Sequence, residues 1–195
     1  MEVLSLLHRP MLFRPPGPKV GWSSLLLGSF KIPRNSFILW LAILGKLSTL
    51  DKPWLLHFGE TCVLCMDGQA ETHDHLFFAC SYSRHCLAHI REHVRFPWPH
   101  IAWERGIEWA SVRWRGKHVV NAAYRVLLAS LVYHIWQERN RRCFQSTSRP
   151  PVIVGSLIVD EIKQRILSAS LRYSVSICSL YRLWRIPWLV DCEAA

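Results

Sequence analysis

Acidic residues are scarce in this chain. Only 14 of its 195 residues are Asp or Glu against 24 Lys and Arg, which gives a formal net charge of +10 and a pI near 9.6. Such a balance favours polyanionic partners, with nucleic acid first and an anionic membrane surface second. No nucleophile and base stand in a recognisable catalytic pattern, so no catalytic residue is assigned.

Long apolar runs are also missing. The longest, such as Phe37–Leu44, fall well short of the ~20 residues that cross a bilayer. The first 18 residues hold short apolar stretches interrupted by arginines and prolines, a pattern unlike a cleaved signal peptide. We expect a soluble intracellular protein with no membrane partner, in either the nucleus or the cytoplasm.

The cysteines do not form an even, regularly spaced set. There are seven, and three of them fall within nineteen residues: Cys62, Cys65 and Cys80. The other four are scattered at Cys86, Cys143, Cys178 and Cys192. This distribution indicates a reducing compartment and one metal site rather than a disulfide framework.

Periodicity predicts a mainly α fold. Ser36–Leu44 is apolar almost all round, which places Trp40 in the core, and Gly45 is a natural residue just past a helix end. A short helix is predicted over roughly 49–58 and another from an N-cap at Thr72 to about Ser83.

Two amphipathic helices are predicted in the second half, and the tail with Trp184 and Trp188 is predicted to pack back on them. Their apolar faces hold Leu128, Leu131, Val132, Ile135 and Trp136, and then Val154, Ile158, Ile162 and Ile166. Asp160 and Glu161 would face solvent. The predicted organisation is an irregular leader (1–19), a small Cys₃His zinc-stabilised helical subdomain (20–95), a Trp/Pro/basic linker (96–120) and a helical extension (121–190).

Spacing points to the metal ligands. Cys62 and Cys65 are separated by two residues, so one tight turn can present both sulfurs to one ion, and His75 and Cys80 follow five residues apart. Three thiolates and an imidazole suit tetrahedral Zn²⁺ and close its coordination, which makes the expected cofactor one structural zinc ion.

Several other readings of this segment remain open from the residues alone. Cys62 and Cys65 could be buried free thiols or a redox pair. His73 competes with His75, because two residues apart on a helix they point in different directions and only one should ligate. The nearby His57, His85 and Cys86 are further competitors.

A basic cluster is the candidate nucleic-acid surface: Arg139, Arg141, Arg142 and Arg149. Contacts to phosphates would be salt-dependent and not sequence-specific. The alternative is a solvated helix end, where cations also suit the helix dipole. Trp98, Trp109 and Trp114, in more polar surroundings than the other tryptophans, are candidates for stacking on unpaired bases.

These segments together resemble a known family. They are Lys31-Ile-Pro-Arg-Asn-Ser-Phe-Ile-Leu-Trp40, Gly45-Lys-Leu-Ser-Thr49, Cys62-Val-Leu-Cys65, Glu71-Thr-His-Asp-His75-Leu-Phe-Phe-Ala-Cys80, and residues 134–144. They are similar to the zinc-binding domain that follows the polymerase in plant LINE-type (non-LTR) retrotransposon reverse transcriptases, and to the Trp-x-Glu-Arg-Asn-Arg-Arg stretch behind it. The resemblance spans roughly 20–188 and implies that His75, before Leu-Phe-Phe, is the metal histidine.

The resemblance also shows what the chain lacks. The polymerase of such elements needs paired aspartates, and an RNase H site needs several carboxylates around Mg²⁺. There is no Asp-Asp pair, and Asp160-Glu161 is the single adjacent acidic pair. We therefore expect no enzymatic activity and no small-molecule substrate.

The function this implies is a non-catalytic zinc module of a retrotransposon-derived protein that binds RNA or DNA through basic surface. The rival hypotheses are a structural or protein-interaction zinc module and a decayed element with no nucleic-acid role.

Overall fold

The computed structural model describes residues 20–28, 30–52, 59, 61–169 and 174–187. Its helices are α1 (Ser23–Leu26), α2 (Pro33–Ile43), α3 (Ser81–His93), α4 (Trp103–Arg113), α5 (Val119–Gln145), α6 (Pro151–Ser168) and α7 (Val175–Trp184), with a π-helix at His75–Ala79. Among these residues the extended pairing is an isolated bridge between Thr61 and Ala70. The mainly α prediction is confirmed. The predicted leader, most of the helix predicted over 49–58, and Trp188 lie outside the described residues.

The long helix α5 forms the centre of the protein. Helices α2, α6 and α7 pack against it, and α3 packs on α6. The nine residues predicted for the apolar faces of α5 and α6 are all buried, so both faces are confirmed. Trp184 is buried as well. One continuous hydrophobic cluster includes residues from α2, α3, α5 and α6. The zinc-bearing half and the helical half therefore share a core.

Within the described part of the chain, α5 is also the helix long and apolar enough to span a bilayer. Just over half of its apolar window, 56%, is buried among the other helices. This burial fits the central helix of a soluble protein.

Helix α2 ends as its sequence predicts. The Lys46 N–H donates to the Leu41 carbonyl and the Gly45 N–H to the Ala42 carbonyl, and Gly45 has φ +62°. This is a Schellman motif, in which glycine adopts the left-handed conformation without steric cost.

The prediction that Trp40 lies in the core is wrong. Asn35, Leu39 and Ala42 take the buried face of α2, while Trp40 is half-buried and contacts the exposed ring of Phe37 with 5.7 Å between centroids. One side of an apolar helix is thus left at the surface.

The segment predicted as a linker, 96–120, contains α4 and a cluster of aromatic side chains. Trp98 and Trp114 are buried there, and Trp98 stacks on Phe78 with 4.2 Å between ring centroids. Their predicted availability for base stacking is therefore wrong, and Trp109 is half-buried against Trp114. The signal for α4 was present in the sequence, because its buried residues recur at helical spacing.

Glu161 does not face solvent as predicted. Its carboxylate binds Arg34 at 2.8 Å, the amide of Asn35 at 2.7 Å and His134 Nε2 at 3.2 Å. Burial raises the pKa of Glu161, but hydrogen bonds from His134, Arg34 and Ser130 outweigh burial and lower the pKa to about 2. Glu161 thereby ties α6 to α2 and α5.

Gly106 in α4 is required by the packing of Trp98. A Cβ atom at this position would lie 2.5 Å from Cζ2 of the Trp98 ring. Gly→Ala in a helix normally stabilises by about 1 kcal/mol. We expect Gly106→Ala instead to lower stability by about 1–3 kcal/mol, because a rigid ring must move. Thermal unfolding measures the change. The exposed Glu108→Ala on the same helix is the control, and a melting temperature of Gly106→Ala at or above wild type would contradict the packing.

Candidate metal centre

The structure brings together the four predicted metal ligands. One ligand atom each from Cys62, Cys65, His75 and Cys80 lie within 4.8 Å of one another. The Cys62 and Cys80 sulfurs are 3.9 Å apart, and Cys65 Sγ is 3.4 Å from His75 Nε2. A zinc tetrahedron with its usual bond lengths has edges of about 3.8 Å between sulfurs and about 3.6 Å from sulfur to nitrogen. The donor set and spacing therefore fit one zinc ion.

The first two ligands lie on a tight turn. The Cys62 N–H donates to the Gln69 carbonyl at 2.8 Å, next to the bridge between Thr61 and Ala70, and the Met66 N–H donates to the Cys62 carbonyl at 3.1 Å. This small hairpin fixes the direction in which both sulfurs point.

The second two ligands depend on the π-helix. The Cys80 N–H donates to the His75 carbonyl, the i+5 to i bond that defines this helix. In an α-helix, residues five apart point about 140° away from each other. The wider π turn brings His75 and Cys80 to the same side.

The helix predicted from Thr72 to Ser83 is therefore wrong in its continuity. Thr72 does cap the start, since its Oγ1 accepts the His75 N–H at 3.1 Å. However, the backbone breaks at Cys80, where ψ is 133°, and α3 starts afresh at Ser81. Cys80 thus ends one helix and precedes the next, where its sulfur can turn towards the other ligands.

The pKa values of the three thiols are shifted in different directions. The hydrogen bond with Cys80, together with burial, raises the pKa of the Cys62 thiol. The same hydrogen bond lowers the pKa of Cys80, as do the backbone N–H groups of Ser83 and Tyr82. Burial raises the pKa of Cys65. Since zinc binds thiolates, loading the site must release protons.

His73 lies outside the ligand group. Its Nδ1 is 3.5 Å from Thr49 Oγ1, its ring contacts Phe77, and burial lowers its pKa. The structure therefore selects His75, as the resemblance implied. Of the other competitors, Cys86 donates to the Pro151 carbonyl, burial raises its pKa to about 12, and His57 lies outside the described residues.

Arg142 holds the cysteine turn in place. Its guanidinium donates to the Leu64 carbonyl at 2.9 Å and to the Val63 carbonyl at 3.2 Å, between the two cysteines. The same group binds Glu138 at 3.0 Å and lies over the Tyr82 ring. The end of α5 is thus fastened to the metal turn.

Arg139 is equally engaged. Only 2% of its side chain is exposed, and it forms an ion pair with the buried Glu71 at 2.9 Å. Glu71 also accepts the Leu50 N–H at 3.0 Å. A guanidinium buried in this way cannot reach a nucleic-acid backbone, so the predicted phosphate role is wrong for Arg139.

The other members of the basic cluster differ. Arg142 is occupied as described, and Arg141 is 3.5 Å from Glu138, so phosphate would compete with existing contacts. The side chain of Arg149 is exposed. Sequence reasoning missed Glu71, because its partner Arg139 lies 68 residues away. It also missed Glu138, although the i,i+4 spacing to Arg142 is a signal for a helical ion pair.

We expect His75→Asn to weaken zinc binding about 100-fold or more, because one of four ligands is lost from a closed site. His73→Asn should keep full zinc content, since His73 lies outside the cluster. Competition with a chromophoric chelator measures both affinities. Equal zinc loss in the two variants would contradict the assignment of His75.

We expect Arg142→Met to destabilise the protein by about 1–3 kcal/mol, because buried carbonyls of the cysteine turn lose charged donors. Zinc affinity should fall roughly 10- to 100-fold, as when an outer contact of a metal ligand is removed. Arg149→Met, which removes an exposed guanidinium, is the matched control. If both variants bind zinc like wild type, the fastening role of Arg142 fails.

Comparison with known proteins agrees with this geometry. Residues 11–86 match the family model described as zinc-binding in reverse transcriptase. The match contains all four ligands and ends within α3, so it does not extend to α4–α7. No curated protein and no solved structure matches the chain. Residues 11–86 are therefore supported as a zinc-binding domain of the kind associated with reverse transcriptases, with a Cys₃His group that could hold one zinc ion.

Proposed function

We propose that this chain is a non-catalytic zinc module of a protein derived from a LINE-type (non-LTR), plant-like retrotransposon reverse transcriptase, without the polymerase domain. We further propose that it binds RNA or DNA through its basic surface without sequence specificity. The zinc-domain match, the Cys₃His geometry and the excess of basic residues support this function.

A basic groove is the observation that carries the nucleic-acid part of the proposal. It lies between α3 and residues 98–102, beside the π-helix, with a volume of about 820 Å³. Its basic lining residues are Arg84, His85, Arg91 and His100. Asp74 is the acid in its lining, and this carboxylate already accepts the Trp103 N–H at 2.7 Å.

The groove offers the two kinds of contact that a nucleic-acid strand uses. Arg84 and His85 are exposed on the first turns of α3, while Arg91 donates to the Trp98 carbonyl and so presents a fixed charge. The half-buried Phe78 adds aromatic surface to the wall. Cationic side chains beside aromatic surface are typical of strands held by phosphate contacts and limited stacking.

The role of zinc in this proposal is to hold the groove rather than to react. A site closed by four protein ligands has no position for water or substrate. Glu161, half of the adjacent acidic pair, is occupied by Arg34, Asn35 and His134, which does not favour an Mg²⁺ role. Both points support a non-catalytic module.

The test is the affinity for a mixed-sequence single-stranded RNA at several salt concentrations. Wild type should bind more weakly as salt rises. Arg84→Gln should weaken binding and reduce the slope of log affinity against log salt by about 0.7, the value for one lost phosphate contact on a single strand. The matched control is Lys46→Gln, which removes one exposed charge that does not line the groove.

Two results would contradict the proposal that the groove binds nucleic acid. In one, Arg84→Gln and Lys46→Gln change binding equally, which leaves only a diffuse charge effect. In the other, wild-type affinity is millimolar or indifferent to salt. The second result would favour the rival function, a structural or protein-interaction module in which zinc serves only the fold.

A further inference from the structure

A second group of potential metal ligands lies near the end of α3. His89, Glu92 and His93 stand at positions i, i+3 and i+4, and one ligand atom from each lies within 4.8 Å of the others. The group is separate from the Cys₃His site, because its nearest member, His89, lies nine residues along the chain from Cys80, roughly 14 Å of helix.

Hydrogen bonds leave one ring nitrogen of each histidine available. His93 Nδ1 is 3.0 Å from the His89 carbonyl. A carbonyl only accepts, so His93 Nδ1 carries the hydrogen and Nε2 keeps its lone pair. His89 Nε2 is 3.0 Å from Ser156 Oγ, which leaves Nδ1 of that ring, 3.6 Å from Glu92 Oε2. Ligating histidines in metal sites are oriented by such outer contacts.

The His89 ring is also fixed by packing. A Cβ atom on Gly155 of α6 would lie 2.8 Å from His89 Cδ2 and 3.2 Å from the Cys86 carbonyl. The absence of a side chain at Gly155 therefore lets α6 approach α3 closely enough to hold the ring. With 15% of its side chain exposed, His89 is held in place before any ion arrives.

We infer that His89, Glu92 and His93 bind a second divalent transition-metal ion, with zinc as the natural occupant. Two imidazole nitrogens and one carboxylate oxygen are suitable zinc ligands, and three protein ligands leave a coordination position open to solvent. The inference concerns metal binding and includes no reaction.

This second site should be weaker than the Cys₃His site. It has no thiolate, and the side chain of Glu92 is 72% exposed and must be ordered on binding. Glu92 and His93 also line a neighbouring cleft together with four arginines that repel a cation, Arg91, Arg95, Arg182 and Arg185. We expect zinc to bind here much more weakly than at a closed structural site, because thiolates are absent and one ligand must be ordered.

The experiment starts from the full chain already loaded with one zinc. Equilibrium dialysis against increasing free zinc, with metal and protein measured together, should show a second equivalent per chain. His93→Ala and Glu92→Gln should each weaken this second equivalent tenfold or more and leave the first intact. His118→Ala, which removes an exposed histidine outside the group and outside the groove, should change neither.

Two outcomes would overturn the inference. One is a wild-type protein that takes no second zinc at a free concentration of about 100 µM, too weak for a three-ligand site. The other is a second equivalent that survives both Glu92→Gln and His93→Ala. Glu92 is at the surface, so Glu92→Gln decides the matter if His93→Ala fails to fold. Retention of the first zinc in each variant separates this result from damage to the Cys₃His site.

Discussion

The arrangement of this protein depends on the convergence of four ligand atoms within 4.8 Å. The cysteine turn, the π-helix and the start of α3 meet at this point. The backbone conformation of each must be explained by some stabilising interaction. The turn pairs through a single bridge, and the π-helix is a geometry that α-helical hydrogen bonding would normally replace. Coordination of one zinc ion would explain these conformations, because five-residue spacing in an α-helix would turn Cys80 away from His75.

Buried ion pairs are a second set of interactions that hold the structure together. Glu71 pairs with Arg139 and so connects α5 to the segment before the metal site. Glu138 pairs with Arg142 within α5, and the Arg142 guanidinium also donates to the cysteine turn. Removing one partner of a buried pair typically costs about 3–5 kcal/mol, whereas replacing both by apolar groups can be neutral. The pairs therefore contribute more to how α5 is placed against the zinc turn than to net stability. The Glu-Arg-Asn-Arg-Arg stretch belongs to the fold of the zinc region, although it lies beyond the family match.

Local patterns in the sequence were enough for much of this structure. The glycine that ends α2, the apolar faces of α5 and α6, and the three metal cysteines follow from spacing. Spacing left His73 and His75 open, and the family resemblance indicated His75. The errors arose where long-range contacts decide. The sequence around Arg139 predicts a surface cation, but in the folded protein Arg139 lies beside Glu71, 68 positions away. Trp98 and Trp114 have polar neighbours in the sequence, yet both rings contact Trp109 of α4, and Trp98 also packs against Gly106. The π-helix could not be predicted from periodicity, because its turn differs from the α-helical period on which such a prediction is based.

Helix α3 connects the Cys₃His group to the two surfaces for which binding is proposed, the basic groove and the second ligand group. Cys80 immediately precedes its start, Arg84 and His85 face the basic groove, and His89, Glu92 and His93 form the open ligand group near its end. The Cys₃His group supplies four protein ligands and leaves no coordination position open. It can therefore act only through the segments that it positions. Helix α3 is held at one end by that group and along its length by α6. The exposed face of α3 therefore carries residues of both proposed binding sites, and zinc at the Cys₃His group would fix where that face begins.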